Sequence, residues 1–338
     1  MPSVTAARQR RLALGWLAAL LLLVVIAGAS VAIGARDLPL SQVWAALLDR
    51  ESSDAGTLVW ESRMPRTVIG LLAGLGLGVS GALIQAVTRN PLADPGILGV
   101  TAGSAFAVAI AVGILGLTSP SQFQWFAYLG ALGTTVLVYL LGSWGGRSAN
   151  PVHLTLAGVA LGAVLSGIVT AIVLADPEGF NAMRAWESGN LQDRGWSGVT
   201  AIGSFMVVGL MVALALGPSL NAVALGDDFA SALGANIILI RTAAVVAVTL
   251  LAGGATALAG PIAFVGLMIP HVARRFTGPD QRWILAYTLV LAPILLVSAD
   301  MVGRLVVRPA ELPVGIVTAF IGAPVLIYLA RRMKVNSL

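Results

Sequence analysis

The residue types that carry most protein chemistry are scarce in this chain. It has two histidines, His153 and His271, no cysteine, and one lysine, Lys334, four residues from the end. Without cysteine there are no disulfides, thiolate metal sites or iron–sulfur clusters. With the single lysine at the far terminus there is no Walker A motif, so the chain does not bind ATP through a P-loop. The acids and arginines fall at the edges of the long apolar runs, which leaves the centres without a proton relay, cation site or acid–base pair. A catalyst or a proton-driven carrier is disfavoured by that distribution. A conduit that takes its energy from a partner is favoured, and no enzymatic activity is expected.

Two polar stretches interrupt the apolar sequence. The first is RNPLADPGILG, Arg89 to Gly99. Pro91 and Pro95 keep this segment out of regular helix and restrict its backbone. Asn90 and Asp94 can satisfy the amides that such a turn frees. Non-helical backbone at membrane depth is tolerable only beside a cavity or inside protein. The residues alone fit either a gate or a rigid turn.

The second stretch is GPSLNAVALGDDFASALGANIILIR, Gly217 to Arg241. Gly226 breaks the chain, and Asp227 and Asp228 suit the first turn of a short helix. Phe229, Ala232 and Leu233 then form an apolar side, with Leu225 just before it, and Gly234 can close the helix. Such a helix is either a handle for a partner or an interfacial helix lying on headgroups.

The elements that must hold these segments follow from composition. The 338 residues are 58% hydrophobic and 10% charged, against about 25% charged in soluble proteins. The chain is therefore a polytopic membrane protein. Its net charge of +5 reads as a marker of the cytoplasmic side rather than of nucleic-acid binding. Leu12 to Gly34 is free of charge and longer than a signal-peptide core, so it is read as a retained first span. Apolar runs follow at about 66–88, 97–118, 123–144, 152–174, 199–218, 283–299 and 312–330. Thr242 to Ile269 is too long for one upright helix and too short for two, and it offers breaks at Gly253-Gly254 and Gly260-Pro261. Read as one full span and one broken one, it brings the total to about ten crossings with both termini inside.

Charge gives this topology mild support. The inside segments hold Arg8, Arg10, Arg11, Arg89, Arg147, Arg241, Arg274, Arg275, Arg282, Arg331, Arg332 and Lys334. The outside ones hold Arg36, Arg50, Arg63, Arg66, Arg184, Arg194, Arg304 and Arg308. The bias runs in the positive-inside direction. Gly70, Gly74 and Gly78 repeat every four residues, a small face that lets helices approach closely in lipid. The stretches opening Arg66-Thr67 and Arg241-Thr242 echo each other weakly, as inverted repeats do.

Several long blocks occur in a telling order: RMPRTVIGLLAGLGLGVSGALIQAVTRNPLADPGILGVTAGS, LTLAGVALG, NAVALGDDFASALG, LAGPIAFVGLMIPHVAR, SADMVGRLVV and AELPVGIVTAFIGAPVLIYLA. On these the chain resembles, over nearly its whole length, the permease subunits of binding-protein-dependent ABC importers for iron–siderophores, haem and cobalamin (FecCD-type). The resemblance implies an all-α membrane protein with the ABC type II importer permease fold, forming one domain over residues 1–338. It implies a dimer of permeases, identical or homologous, around a central path in the prokaryotic plasma (inner) membrane. A separate ATP-binding cassette ATPase dimer would bind ATP and Mg, with no cofactor on this chain, and an extracytoplasmic substrate-binding protein would dock above.

Site roles carry over residue by residue. Residues of about 219–237 become the coupling helices, which favours the partner handle. Arg63, Arg66 and Arg304 match external arginines that pair with glutamates of the binding protein. Asn90 and Leu92 match cytoplasmic gate positions. Pro151 and Val152 match a second gate in position only, because Asn150, Pro151, Val152 and His153 replace small hydroxyl residues common in relatives. His271 is read as an interfacial hydrogen-bonding residue. Arg184, Glu187, Asp193 and Arg194 around Trp186 depart from an apolar family pattern. The expected cargo is a ferric siderophore. Haem or cobalamin stands as the alternative, and an ion-coupled secondary transporter or a lipid-modifying enzyme as more distant ones.

Overall fold

The computed structural model describes residues 4–34, 36–50, 54–117, 119–143, 151–192 and 194–332. Arg147, Asn150, Asp193 and Lys334 lie outside the described residues. Among the described residues every regular element is helical. In chain order these are α1 (Val4–Ala32), α2 (Leu40–Leu48), α3 (Asp54–Thr57), α4 (Met64–Thr88), α5 (Val100–Gly113), α6 (Pro120–Gly142) and α7 (Pro151–Ala175). They continue with α8 (Pro177–Glu187), α9 (Gly195–Ala224), α10 (Asp227–Ala232), α11 (Ile237–Ala259), α12 (Val265–Thr277), α13 (Gln281–Val306) and α14 (Val314–Arg332). A π-helical turn, Leu58–Arg63, joins α3 to α4, and a 3-10 turn, Pro95–Leu98, leads into α5.

Among the described residues seven stretches are long and apolar enough to cross a membrane: α1, the rod Asp54–Thr88 that ends in α4, α6, α7, α9, α11 and α13. The shorter apolar helices α5 and α14 accompany them, and α12, with Arg274 and Arg275 in its last turn, is a further short helix. With 14 residues, α5 is ~21 Å long, well short of the ~30 Å hydrocarbon core. The apolar run at 97–118 is thus only partly helix, because Pro95 to Gly99 forms the 3-10 turn and its left-handed cap. The run Thr242–Ile269 divides as one full helix and one short one. The chain breaks at Gly260, whose φ of 75° suits only glycine, and stays helical through Gly253-Gly254. Those two glycines pack on Tyr128 and Ala131 of α6 and on Met206 of α9.

The helix α4 is the axis of the bundle, packed by α9, α11, α12 and α13. Its every-fourth glycine stripe runs along α13: Gly70 meets Val297, Gly74 meets Pro293, and Gly78 meets Ala292 and Thr288. A Cβ at Gly74 or Gly78 would overlap these neighbours, so the stripe sets the distance between the two axes. Close backbones multiply dispersion contacts, which drive association where lipid tails compete for apolar surface.

At mid-length of α4, Leu77 and Gly81 lie against Gly266 at the start of α12, and Gly266 also touches Pro95. Both half-length helices therefore begin near the middle of the bundle, so two stretches of irregular backbone meet there.

Candidate functional site

Two adjoining cavities, of about 460 Å³ and 670 Å³, share Glu187, Ser188 and Ile316 and form one cleft. At one end its wall is Asp94 and Thr101 at the entrance to α5; in the middle it is the bare backbone Pro261–Ala263 between α11 and α12. At the other end are Arg184, Asn190 and Pro313. The backbone there is irregular for local reasons. Asp94 accepts a hydrogen bond from the Gly96 amide (2.8 Å) and so starts the 3-10 turn. Phe264 takes a left-handed conformation (φ 71°) that costs a non-glycine residue roughly 1–2 kcal/mol, and its ring is seated on Gly322 of α14. The Ala263 carbonyl accepts from the Val265 amide (2.9 Å), and non-helical, strained backbone of this kind at membrane depth is kept where it lines a cavity or is enclosed by protein.

At one face of the bundle, α4 ends in the left-handed Arg89 (φ 52°). Asn90 and Leu92 follow, both exposed, in a turn closed by the Leu92 amide donating to Asn90 Oδ1 (2.9 Å). Pro151 opens α7, and Val152 is exposed. The 3-10 turn reaches α7 further in, where the Ile97 carbonyl lies on Gly158. Near Arg89 sits α10, introduced by Gly226 (φ 114°). Leu225, Phe229 and Leu233, spaced four residues apart, are all exposed, as are Asp228, Ala232 and Gly234, while Ala230 is buried. Asp227 joins two arginines, Arg89 at 2.5 Å and Arg241 at 2.8 Å.

The opposite face holds a buried ionic cluster. Arg66 on α4 donates to both oxygens of Asp300 on α13 (2.7 and 3.1 Å) and to Glu311 (2.6 Å). Arg304, one turn beyond Asp300, donates to it from Nε (2.9 Å) and from a terminal nitrogen. Gln192 also donates to Glu311. Arg304 and Arg63 further cap α1: Arg304 donates to the Ser30 and Ile33 carbonyls (2.8 and 2.9 Å), Arg63 to Val31 and Ala32 (3.0 and 2.6 Å). A helix end leaves such carbonyls without internal partners. Asp300 and Arg304 are each 1% exposed.

The three arginines singled out from the sequence are therefore brought together, and each has partners inside this chain. Sequence reasoning missed those partners. The apolar run of the sequence stops at residue 299, whereas α13 continues to Val306 with Asp300 neutralised by Arg66 and Arg304. The i, i+4 spacing of Asp300 and Arg304 was the available signal. Of the charges around Trp186, Arg184 and Glu187 are exposed on α8, Trp186 between them is buried, and Arg194 is buried just before α9.

A polytopic helical bundle with a mixed, largely apolar cleft beside half-length helices has the build of a transport permease. The chain belongs to the FecCD transport family, which it matches over residues 20–332. It is 46% identical over 313 residues, 93% of each chain, to the ferric enterobactin transport system permease protein FepD of Escherichia coli. It is 32% identical over 332 residues, 96% of this chain and 97% of the other, to the hemin transport system permease protein HmuU of Yersinia pestis. Its fold matches a solved inward-facing metal-chelate type ABC transporter with a TM-score of 0.81 at 28% identity, covering 94% of this chain and 98% of that one. It is a multi-pass membrane permease subunit of the ABC class.

Proposed function

We propose that this permease carries a ferric siderophore across the plasma (inner) membrane, with both termini in the cytoplasm. The cleft from Asp94 to Pro313 is the observation that carries the reading. Its walls combine aliphatic groups, hydroxyls and bare backbone with a few carboxylates. That lining suits a bulky chelate that keeps its iron wrapped. A bare ion would need a closed set of ligands, and no cluster of metal-ligating side chains occurs among the described residues. The 46% identity to a ferric enterobactin permease supports the same cargo class.

Power comes from a separate ATPase dimer that seats on α10, through the exposed Leu225, Phe229 and Leu233. Accessibility of the path is switched at the turn holding Asn90 and Leu92 and at the start of α7, Pro151 and Val152. A second permease subunit, identical or homologous, completes the path. A substrate-binding protein docks over Arg63, Arg66 and Arg304. With Arg308, which pairs with Asp37, four guanidiniums there stand against three carboxylates, Asp37, Asp300 and Glu311, so the region keeps a positive charge that can steer an acidic partner.

The test is transport by the reconstituted complex in proteoliposomes with labelled ferric siderophore, haem and cobalamin offered in turn. ATP-dependent accumulation of the ferric siderophore is expected. Accumulation of haem or cobalamin instead would reassign the cargo, and uptake by this chain alone on an ion gradient would overturn the ATP-driven reading.

A further inference from the structure

The helix α10 packs on its chain neighbours α9 and α11, which by itself gives it no hold on the turn after α4. Asp227 supplies one. One of its oxygens accepts from Arg241 at the start of α11, and the other accepts from Arg89, the residue immediately before Asn90. Resting on the reading of α10 as the ATPase seat, we propose that the Arg89–Asp227 ion pair is the link through which movement of α10 displaces the Asn90–Leu92 turn.

Geometry separates this pair from an ordinary surface salt bridge. Exposed pairs contribute little because both side chains must be immobilised to form them. Arg89 and Asp227 are indeed half-exposed, at 42% and 37% of their side chains. Their anchors, however, are fixed before the pair forms. Asp227 is held on its second oxygen by Arg241, whose side chain is 7% exposed. Arg89 occupies the left-handed cap of α4, the most buried helix of the bundle, and its amide is bonded to the Ala86 carbonyl. Neither end can trail loosely when the other moves.

The pair also has the sign needed to act as a switch. Two arginines converge on one carboxylate, so a displacement of α10 that separates Asp227 from Arg89 leaves that guanidinium without its counter-charge. A shift of the Arg89 backbone carries Asn90 directly. Because separating the pair would strand that charge, the turn follows the helix rather than parting from it.

The experiment uses the complete transporter in proteoliposomes, with uptake of ferric siderophore and ATP hydrolysis measured on the same vesicles. Arg89→Gln should leave assembly and ATP hydrolysis intact and lower uptake per ATP by about fivefold or more, the scale of ordinary site-to-site coupling. Arg89→Lys, which keeps the charge, should retain most of the ratio. Asp227→Asn should reproduce the defect, and the double variant should be no worse than either single one. An unchanged ratio in both single variants, or defects that multiply in the double, would overturn the link. The triple change Leu225→Ser, Phe229→Ser and Leu233→Ser separates the two levels. If it releases the ATPase while Arg89→Gln transports normally, only the link fails; if it leaves the ATPase bound, the seat itself is wrong.

Discussion

Replacing Asp300 with asparagine tests the buried ionic cluster most directly. The substitution keeps shape and volume and removes one charge from between Arg66 and Arg304. The three side chains are 2%, 10% and 2% exposed respectively, so water cannot take over. Breaking a buried pair by removing one partner costs about 3–5 kcal/mol, because the remaining charge is left uncompensated. Here two cations lose their shared anion. Arg66 keeps Glu311, and Arg304 keeps the Ser30 and Ile33 carbonyls, which places the expected loss toward the lower end of that range. Thermal inactivation of the purified chain in detergent, read as the fraction still monodisperse, should shift down by on the order of 5–10 °C. A scan at two heating rates separates a stability change from a purely kinetic one. Adding Arg304→Gln to Asp300→Asn removes one charge of each sign and should recover part of the loss, whereas independent sites would add. An unchanged midpoint for Asp300→Asn, or strict additivity in the pair, would refute the reasoning. The cluster also determines how docking must be probed. Arg66→Glu would set a third carboxylate against Asp300 and Glu311, so loss of folded protein is expected before any loss of binding.

Three further outcomes follow from packing and exposure. Gly81→Ala puts a Cβ into the Gly266 carbonyl, a backbone obstacle that cannot rotate away, and should destabilise by roughly 1–3 kcal/mol in the same melting assay. Gly133→Ala, with open space around its Cβ, should be near neutral. Phe229→Ser combined with Leu233→Ser should abolish co-purification of the ATPase without moving the melting midpoint, since both side chains are exposed. At position 264 the usual order of alanine and glycine should reverse: Phe264→Ala keeps the left-handed backbone penalty and loses the ring seat on Gly322, so it should melt lower than Phe264→Gly by about 1 kcal/mol.

The spans could be read from the sequence because lipid imposes a length and an apolarity that each helix meets on its own. The glycine stripe Gly70, Gly74 and Gly78 was equally visible as a close-packing face, though its partner was not. Nothing in the stripe says that Pro293 and Thr288, more than 200 residues away, complete it. The division of Thr242–Ile269 came partly into view: Gly260-Pro261 breaks the helix, while Gly253-Gly254, just as suggestive on paper, continues it. Glycine permits a break, and packing against Tyr128, Ala131 and Met206 decides against one.

The ionic groups divide in the same way. That Arg63, Arg66 and Arg304 belong together could be argued from likeness to a family, but their internal carboxylates could not. Asp300 and Glu311 pair with Arg66 from 234 and 245 positions away. The link from Asp227 to Arg89 crosses 138 positions, and it exists only because the end of α4 and the start of α10 surface at the same face.

Sequence by itself determined the solvent of this protein, the helical class of its fold and the places where its long apolar spans run. Each of those is a property of local composition, enforced residue by residue through transfer from water to lipid. Tertiary structure alone decided which charges neutralise one another, where irregular backbone meets to open a cleft, and which turn feels the movement of which helix. Those depend on distances between residues far apart in the chain, and close packing of small side chains sets those distances.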